Sequence, residues 1–151
     1  MNQFMSKTAS QRPDPSPSER LARVDRLDLW RRYRNGDCEG CWSGCCTFPV
    51  EMSVHDLIRL GHATEDEAAT SLSRLGKRLI QAGVLQSYRA ATQVFVLAQK
   101  PSRDCIYLGS DRRCTVYDRR PEVCRQFPKI GPKPGSCPGH VRKTGGKPHA
   151  E

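Results

Sequence analysis

Cys38-Glu-Gly-Cys-Trp-Ser-Gly-Cys-Cys46 is the stretch that decides how this chain must fold, for it packs four cysteines into nine residues. A free cysteine is by default a small buried hydrophobe. Gaps of two, three and no residues are too dense for that role. Thiolates so close repel one another unless a cation or a disulfide stands between them. The other four cysteines, Cys105, Cys114, Cys124 and Cys137, form a looser second group after a long cysteine-free interval.

The beginning of the chain separates metal from oxidation. Residues 1–20, MNQFMSKTASQRPDPSPSER, lack the apolar core of a secretory signal. No apolar run approaches the roughly 20 residues of a membrane span. A reducing cytosol is therefore the expected compartment, where disulfides are rare and clustered cysteines are more often metal sites. With 151 residues and only 7% aromatics, one small domain with a modest core is expected. Thin cores of this kind draw stability from metal crosslinks, so a chelator should unfold the protein.

The formal net charge of +9 counts every cysteine as a neutral thiol. Four thiolates on one zinc, or on one oxidised four-iron cluster, carry about −2, and one or two such sites lower the total to roughly +5 to +7. Lys129, Lys133, Arg142, Lys143 and Lys147 lie in the Gly/Pro-rich C-terminal stretch. That stretch reads as solvated by default, with nucleic acid the minority partner.

Residues 1–18 read as a disordered leader rich in Pro, Ser and charge. Residues 19–137 read as one cysteine-cluster metal-binding domain, and residues 138–151 as a basic flexible tail. Ser18 is placed to cap a helix carrying Leu21, Val24, Leu27, Trp30 and Tyr33 at helical spacing, stopped at Asn35-Gly36. Trp30 and Tyr33 are expected to be core. Gly40 and Gly44 allow a tight loop to turn its amides toward sulfur. Ser53 and Asp56 have capping-box spacing before Leu57 and Ile58, and Gly61 ends that helix. A third helix opens at Thr64 with three acids and runs to Gly83, with Gly76 as a weak point. Residues 84–99 carry strand-like material. Residues 105–108 and 114–117 read as a hairpin joined by 109–113. If Tyr107 opposes Cys114, then Cys105 and Cys114 share a face, and a one-residue slip separates them. Pro121 suits the start of a short helix that places Cys124 near its N-terminus, where Arg119, Arg120 and Arg125 would depress the thiol pKa. The expected fold is small α+β, mainly α-helical with a short β-hairpin, its irregular cysteine-rich loops organised by bound metal.

Simple metal signatures do not fit. A zinc ribbon needs two Cys-x-x-Cys knuckles, and only residues 38–41 supply one. The bacterial ferredoxin run fails at its third cysteine. A radical-SAM loop would close at Phe48, and a thioredoxin-like dithiol lacks its strand-helix setting.

The whole constellation does resemble one family, the zinc- or iron-chelating cysteine-cluster family of the CxxCxxCC (YkgJ) type. The first half of its pattern is present as residues 38–46, with one extra residue before the double cysteine. The second half follows as Cys105-Ile-Tyr-Leu, Arg113-Cys-Thr-Val-Tyr-Asp118, Arg120-Pro-Glu-Val-Cys-Arg125 and Phe127-Pro128. The resemblance spans about residues 38–137. It implies the eight cysteines, Cys38, Cys41, Cys45, Cys46, Cys105, Cys114, Cys124 and Cys137, as ligands of an iron-sulfur cluster or zinc. It also implies Arg120, Pro121 and Arg125 close behind them. Flagellin lysine methylases carry a similar cysteine domain within a larger protein. This chain has no Gly-rich loop after a strand to seat S-adenosylmethionine, so methyl transfer is not carried over.

The expected function is thus a metal-binding protein with a structural or redox-accessory role, no autonomous catalysis and an unidentified protein partner. The alternatives are a zinc-stabilised nucleic-acid module, or an accessory subunit of a methyl-transfer or redox enzyme. Nucleic-acid modules interleave aromatics with basic residues. The stretch after Lys129 has no aromatic. His55 and Asp56 could serve as acid and base, but a helix start favours capping. His62, His140 and His149 fall in loop or tail and read as solvated.

Overall fold

The computed structural model describes residues 16–38 and 41–138, so the expected leader and basic tail lie almost wholly outside the described residues. The chain opens with helix α1 (Pro17–Asp25). Its cap is Ser16, two residues before the expected one: the Ser16 hydroxyl accepts from Glu19 N, and Glu19 reaches back to Ser16 N. The expected long helix stops at Asp25 and gives way to a 3-10 turn (Leu27–Leu29) and strand β1 (Arg31–Arg32). The Trp30 indole N–H donates to the Arg23 carbonyl, capping the end of α1 where a further turn would have run. Val24 and Trp30 are buried, as a core reading requires, while Leu27 and Leu29 are left exposed. Tertiary pairing has overridden a local helical preference here.

Strand β1 pairs antiparallel with β5 (Ser136–Cys137), setting Arg31 opposite Cys137 and Arg32 opposite Ser136. Between them lies the main body. Strand β2 (Glu51–Met52) leads into α2 (Val54–Arg59), capped by the Ser53–Asp56 box. The third expected helix is broken into α3 (Glu65–Thr70) and α4 (Leu72–Gln81), each with its own hydroxyl cap, Thr64 and Ser71. Strands β3 (Leu85–Arg89) and β4 (Val94–Leu97) form the hairpin, and β2 adds to the free edge of β4, giving the order β2-β4-β3. Helix α4 lies on this sheet. Gly76 is its contact point and not a weakness, since a Cβ there would stand 3.0 Å from the Tyr88 side chain.

Met52, Leu57, Leu79, Phe95 and Leu97 are fully buried and form the centre of the main core. A second apolar group stands apart from it: the rings of Trp30, Phe48 and Phe127 meet with centroids 5.3 to 6.4 Å apart. The architecture is small α+β. The expected hairpin at 105–117 is corrected: that segment is a series of turns holding two isolated bridges, Gln99 to Cys105 and Leu108 to Cys114. It ends in a 3-10 turn (Tyr117–Arg119) and the short helix α5 (Glu122–Gln126).

Candidate metal centre

From Cys41 the dense cysteine segment turns into a 3-10 helix (Gly44–Thr47). Ser43 takes a left-handed conformation, φ 59°, to enter it. Its neighbour Gly44 lies beneath the buried Trp42 indole, where a Cβ would come within 2.4 Å of the ring. The turn is fastened to the second cysteine group at several points. The Ser43 hydroxyl donates to the Arg112 carbonyl at 2.7 Å, and Arg112 Nε donates to the Trp42 carbonyl at 2.9 Å. Cys105 N donates to the Cys46 carbonyl at 2.7 Å, and the Gln99 amide donates to both Thr47 and Arg103 carbonyls. The early and late groups therefore meet in space.

Strand pairing brings Cys137 to the front of the chain. Cys38, Cys41, Cys45 and Cys137 line one cleft together with Tyr33 and Phe127. Cys38 Sγ lies 3.8 Å from the Tyr33 hydroxyl. On the other side of the turn, Cys46 has Cys105, Cys114 and Cys124 as its charge neighbours, and these three bear on one another as well. Cys45 and Cys46, consecutive in the 3-10 helix, stand where the two sides meet. None of the eight cysteines is in a disulfide.

Two of the sulfurs accept a main-chain N–H from the residue two positions on: Ser43 N donates to Cys41 Sγ and Tyr107 N to Cys105 Sγ, both at 3.4 Å. The amide turned toward Cys41 belongs to Ser43, one residue before the expected Gly44. Gly40 lies outside the described residues. Because residues 105–108 turn back on themselves (Leu108 N donates to the Cys105 carbonyl), the face-alternation argument for a strand no longer applies. Cys105 and Cys114 stay close although the bridge falls at Leu108.

The expected depressed pKa of Cys124 is not found. Burial pushes its thiol up to about 12, the nearby sulfurs of Cys105, Cys46 and Cys114 push the same way, and Arg120 only offsets part. Cys105 is held near 11, again chiefly by burial. A five-residue helix supplies too little dipole to reverse that desolvation. Cys46 alone in its group is shifted down, first by the adjacent Cys45 thiol and then, against burial, by Arg112 and Arg120.

Arg120 lies over the Tyr117 ring at 3.9 Å and within reach of three thiols. Arg125 is occupied with main chain: its Nε donates to the Arg120 carbonyl and its NH2 to that of Asp118. Arg112 was not legible as a neighbour of the site, since it sits in what reads as a plain turn. It takes its place through a left-handed backbone, φ 64°, an ion pair to Asp104 at 2.9 Å and the Trp42 contact. Asp56, weighed as an acid or base, is buried as a structural acceptor for Ser53 N and Glu122 N. His62 is half-buried and hydrogen-bonded to the Tyr107 hydroxyl, and not simply solvated.

All-sulfur donor sets with amides already aimed at them suit zinc or an iron-sulfur cluster, both of which prefer thiolate. Among the described residues, no group of three or more His, Cys, Asp or Glu side chains is drawn together tightly enough to hold an ion as placed. Binding thus requires the thiols to lose their protons and the sulfurs to close in, which mutually repelling thiolates resist and a cation rewards. Among the described residues no helix is long and apolar enough to cross a membrane. The family model CxxCxxCC, described as "Putative zinc- or iron-chelating domain", matches residues 37–144, from just before the first cysteine to beyond the last. No curated protein and no solved structure matches the chain.

Proposed function

The chain belongs to the CxxCxxCC zinc- or iron-chelating family, and on that premise we propose that its eight cysteines hold the metal, as zinc or as iron-sulfur, in a structural or redox-accessory role without catalysis of its own. The observation that carries this reading is the pair of N–H donors aimed at Cys41 and Cys105, one in each cysteine group. A main-chain amide two residues beyond a cysteine stabilises a thiolate and orients it for a metal, and it brings no benefit to a thiol acting as packing. Arg112 and Arg120 supply positive charge beside Cys46, which offsets the net negative charge of a four-thiolate centre. When bound, zinc would crosslink the loops, and an iron-sulfur cluster would in addition carry an electron.

The test is elemental analysis of protein purified without oxygen, with its absorption spectrum and acid-labile sulfide. The expected result is zinc or iron that stays with the chain through gel filtration and leaves with a strong chelator. Brown colour with labile sulfide identifies iron-sulfur, and a colourless zinc-loaded chain identifies zinc. A folded protein that neither carries nor takes up either metal overturns the reading.

A further inference from the structure

We propose that the eight cysteines form two separate four-thiolate centres, Cys38, Cys41, Cys45 and Cys137 in one and Cys46, Cys105, Cys114 and Cys124 in the other, divided at the peptide bond between Cys45 and Cys46. The inference rests on the reading that these cysteines hold metal, and adds how many centres there are and which sulfurs each takes. The first set is defined by a shared cleft, lined by those four cysteines and none of the other four. Cys137 reaches it only because β5 pairs with β1, across a hundred residues of chain. The second set is defined by its fastening. The Cys46 carbonyl holds Cys105 N, the 108–114 bridge carries Cys114 alongside, and Asp56 anchors Glu122 N at the start of the helix that bears Cys124.

The division falls where local geometry demands it. Cys45 and Cys46 are consecutive in a 3-10 turn, whose three residues per turn set neighbouring side chains about 120° apart. Two side chains so splayed do not readily close on one ion, but each can serve an ion on its own side. The two cysteines are still consecutive in the chain, so the centres are neighbours, not distant sites. Four sulfurs on each side is also the ligand count that both a structural zinc and a four-iron cluster require.

Cobalt(II) serves as the probe, titrated anaerobically into the reduced, metal-stripped full chain and followed by its thiolate charge-transfer absorption. The wild-type chain should take two equivalents. Cys41→Ser/Cys45→Ser should lose one and keep the other, and Cys105→Ser/Cys114→Ser should do the same. Cys41→Ser/Cys105→Ser, with one change on each side, should lose both. Equal loss from same-side and cross-side pairs overturns the division, as does saturation of the wild type at one equivalent. X-ray absorption on the cobalt-loaded wild type, which depends on no variant folding, should give four sulfurs per cobalt without a bridging sulfur. A short cobalt–cobalt vector overturns the proposal. A wild-type chain that takes no metal removes the functional reading as well, whereas metal bound as a single undivided centre removes only the division.

Discussion

Gly44 shows how little room the cysteine turn leaves. Any β-carbon there would stand 2.4 Å from the far edge of the Trp42 indole, and that ring is itself buried. Gly44→Ala should therefore force the indole out and cost about 1–3 kcal/mol, the usual range for overpacking. Denaturant unfolding reads the cost, and an unchanged midpoint would mean the ring moves freely. The arginines divide in a similar way. Arg120 gives its Nε to the Tyr117 carbonyl but sets its charge near the thiols of Cys46, Cys114 and Cys124, while Arg125 spends its donors on the carbonyls of Arg120 and Asp118. Arg120→Gln should speed metal loss to a competing chelator more than Arg125→Gln does. Equal rates would place both side chains in the same supporting role. The Arg-Pro-x-x-Cys-Arg spacing did point to guanidinium groups near Cys124. It could not say that main-chain carbonyls would claim donors of both, because that depends on how the turn at 117–120 closes.

Elements were legible where a side chain caps its own helix. Ser53 with Asp56 forms its box as the spacing predicts, because the signal and its partner are three residues apart, and the acids expected after Thr64 open α3, where Glu67 closes a second box. Strand was legible over 84–99, although the pairing of residues 85–89 with 94–97 as a hairpin was not. What failed depends on distant pairing. Helix α1 ends early because residues 31–32 are claimed by 136–137, and nothing local announces a partner that far along the chain. Residues 105–117 alternate like strands yet fold as turns held by bridges and by the cysteine loop. Helix α5 has no side-chain cap of its own. Its first amide donates instead to Asp56 Oδ1 at 3.0 Å, so the buried carboxylate serves α2 and α5 at once. Asp56→Ala should leave those donors unpaired and cost about 1–3 kcal/mol. It should also raise amide exchange at residues 122–126, whereas loss of stability confined to α2 would show that α5 is held by other contacts.

At the scale of the molecule, apolar burial and cysteine chemistry occupy different regions that share a border. The main core gathers β2, β3, β4, α2 and α4 around Phe95, Leu57 and Leu79, without any cysteine at its centre. Cys105 and Cys124 pack on its edge, together with Ile106, Tyr107 and Val116. The cysteine turn and the Trp30, Phe48 and Phe127 rings lie beyond that edge. This changes what chelation should do, relative to a fold that depends wholly on its metal. Removing metal from the loaded protein should loosen residues 41–47 and 105–126, where few apolar side chains are deeply buried. Exchange protection should persist at β4 and α4, whose burial does not involve sulfur. The core should fail by a different route: Leu79→Ala should cost about 2–5 kcal/mol, as large-to-small changes in fully buried positions do, with the metal still bound below the unfolding transition. Hydrogen exchange on loaded and chelated protein separates the two cases. A uniform loss of protection on chelation, reaching Phe95 as fast as Cys105, would mean that metal and core form a single cooperative unit.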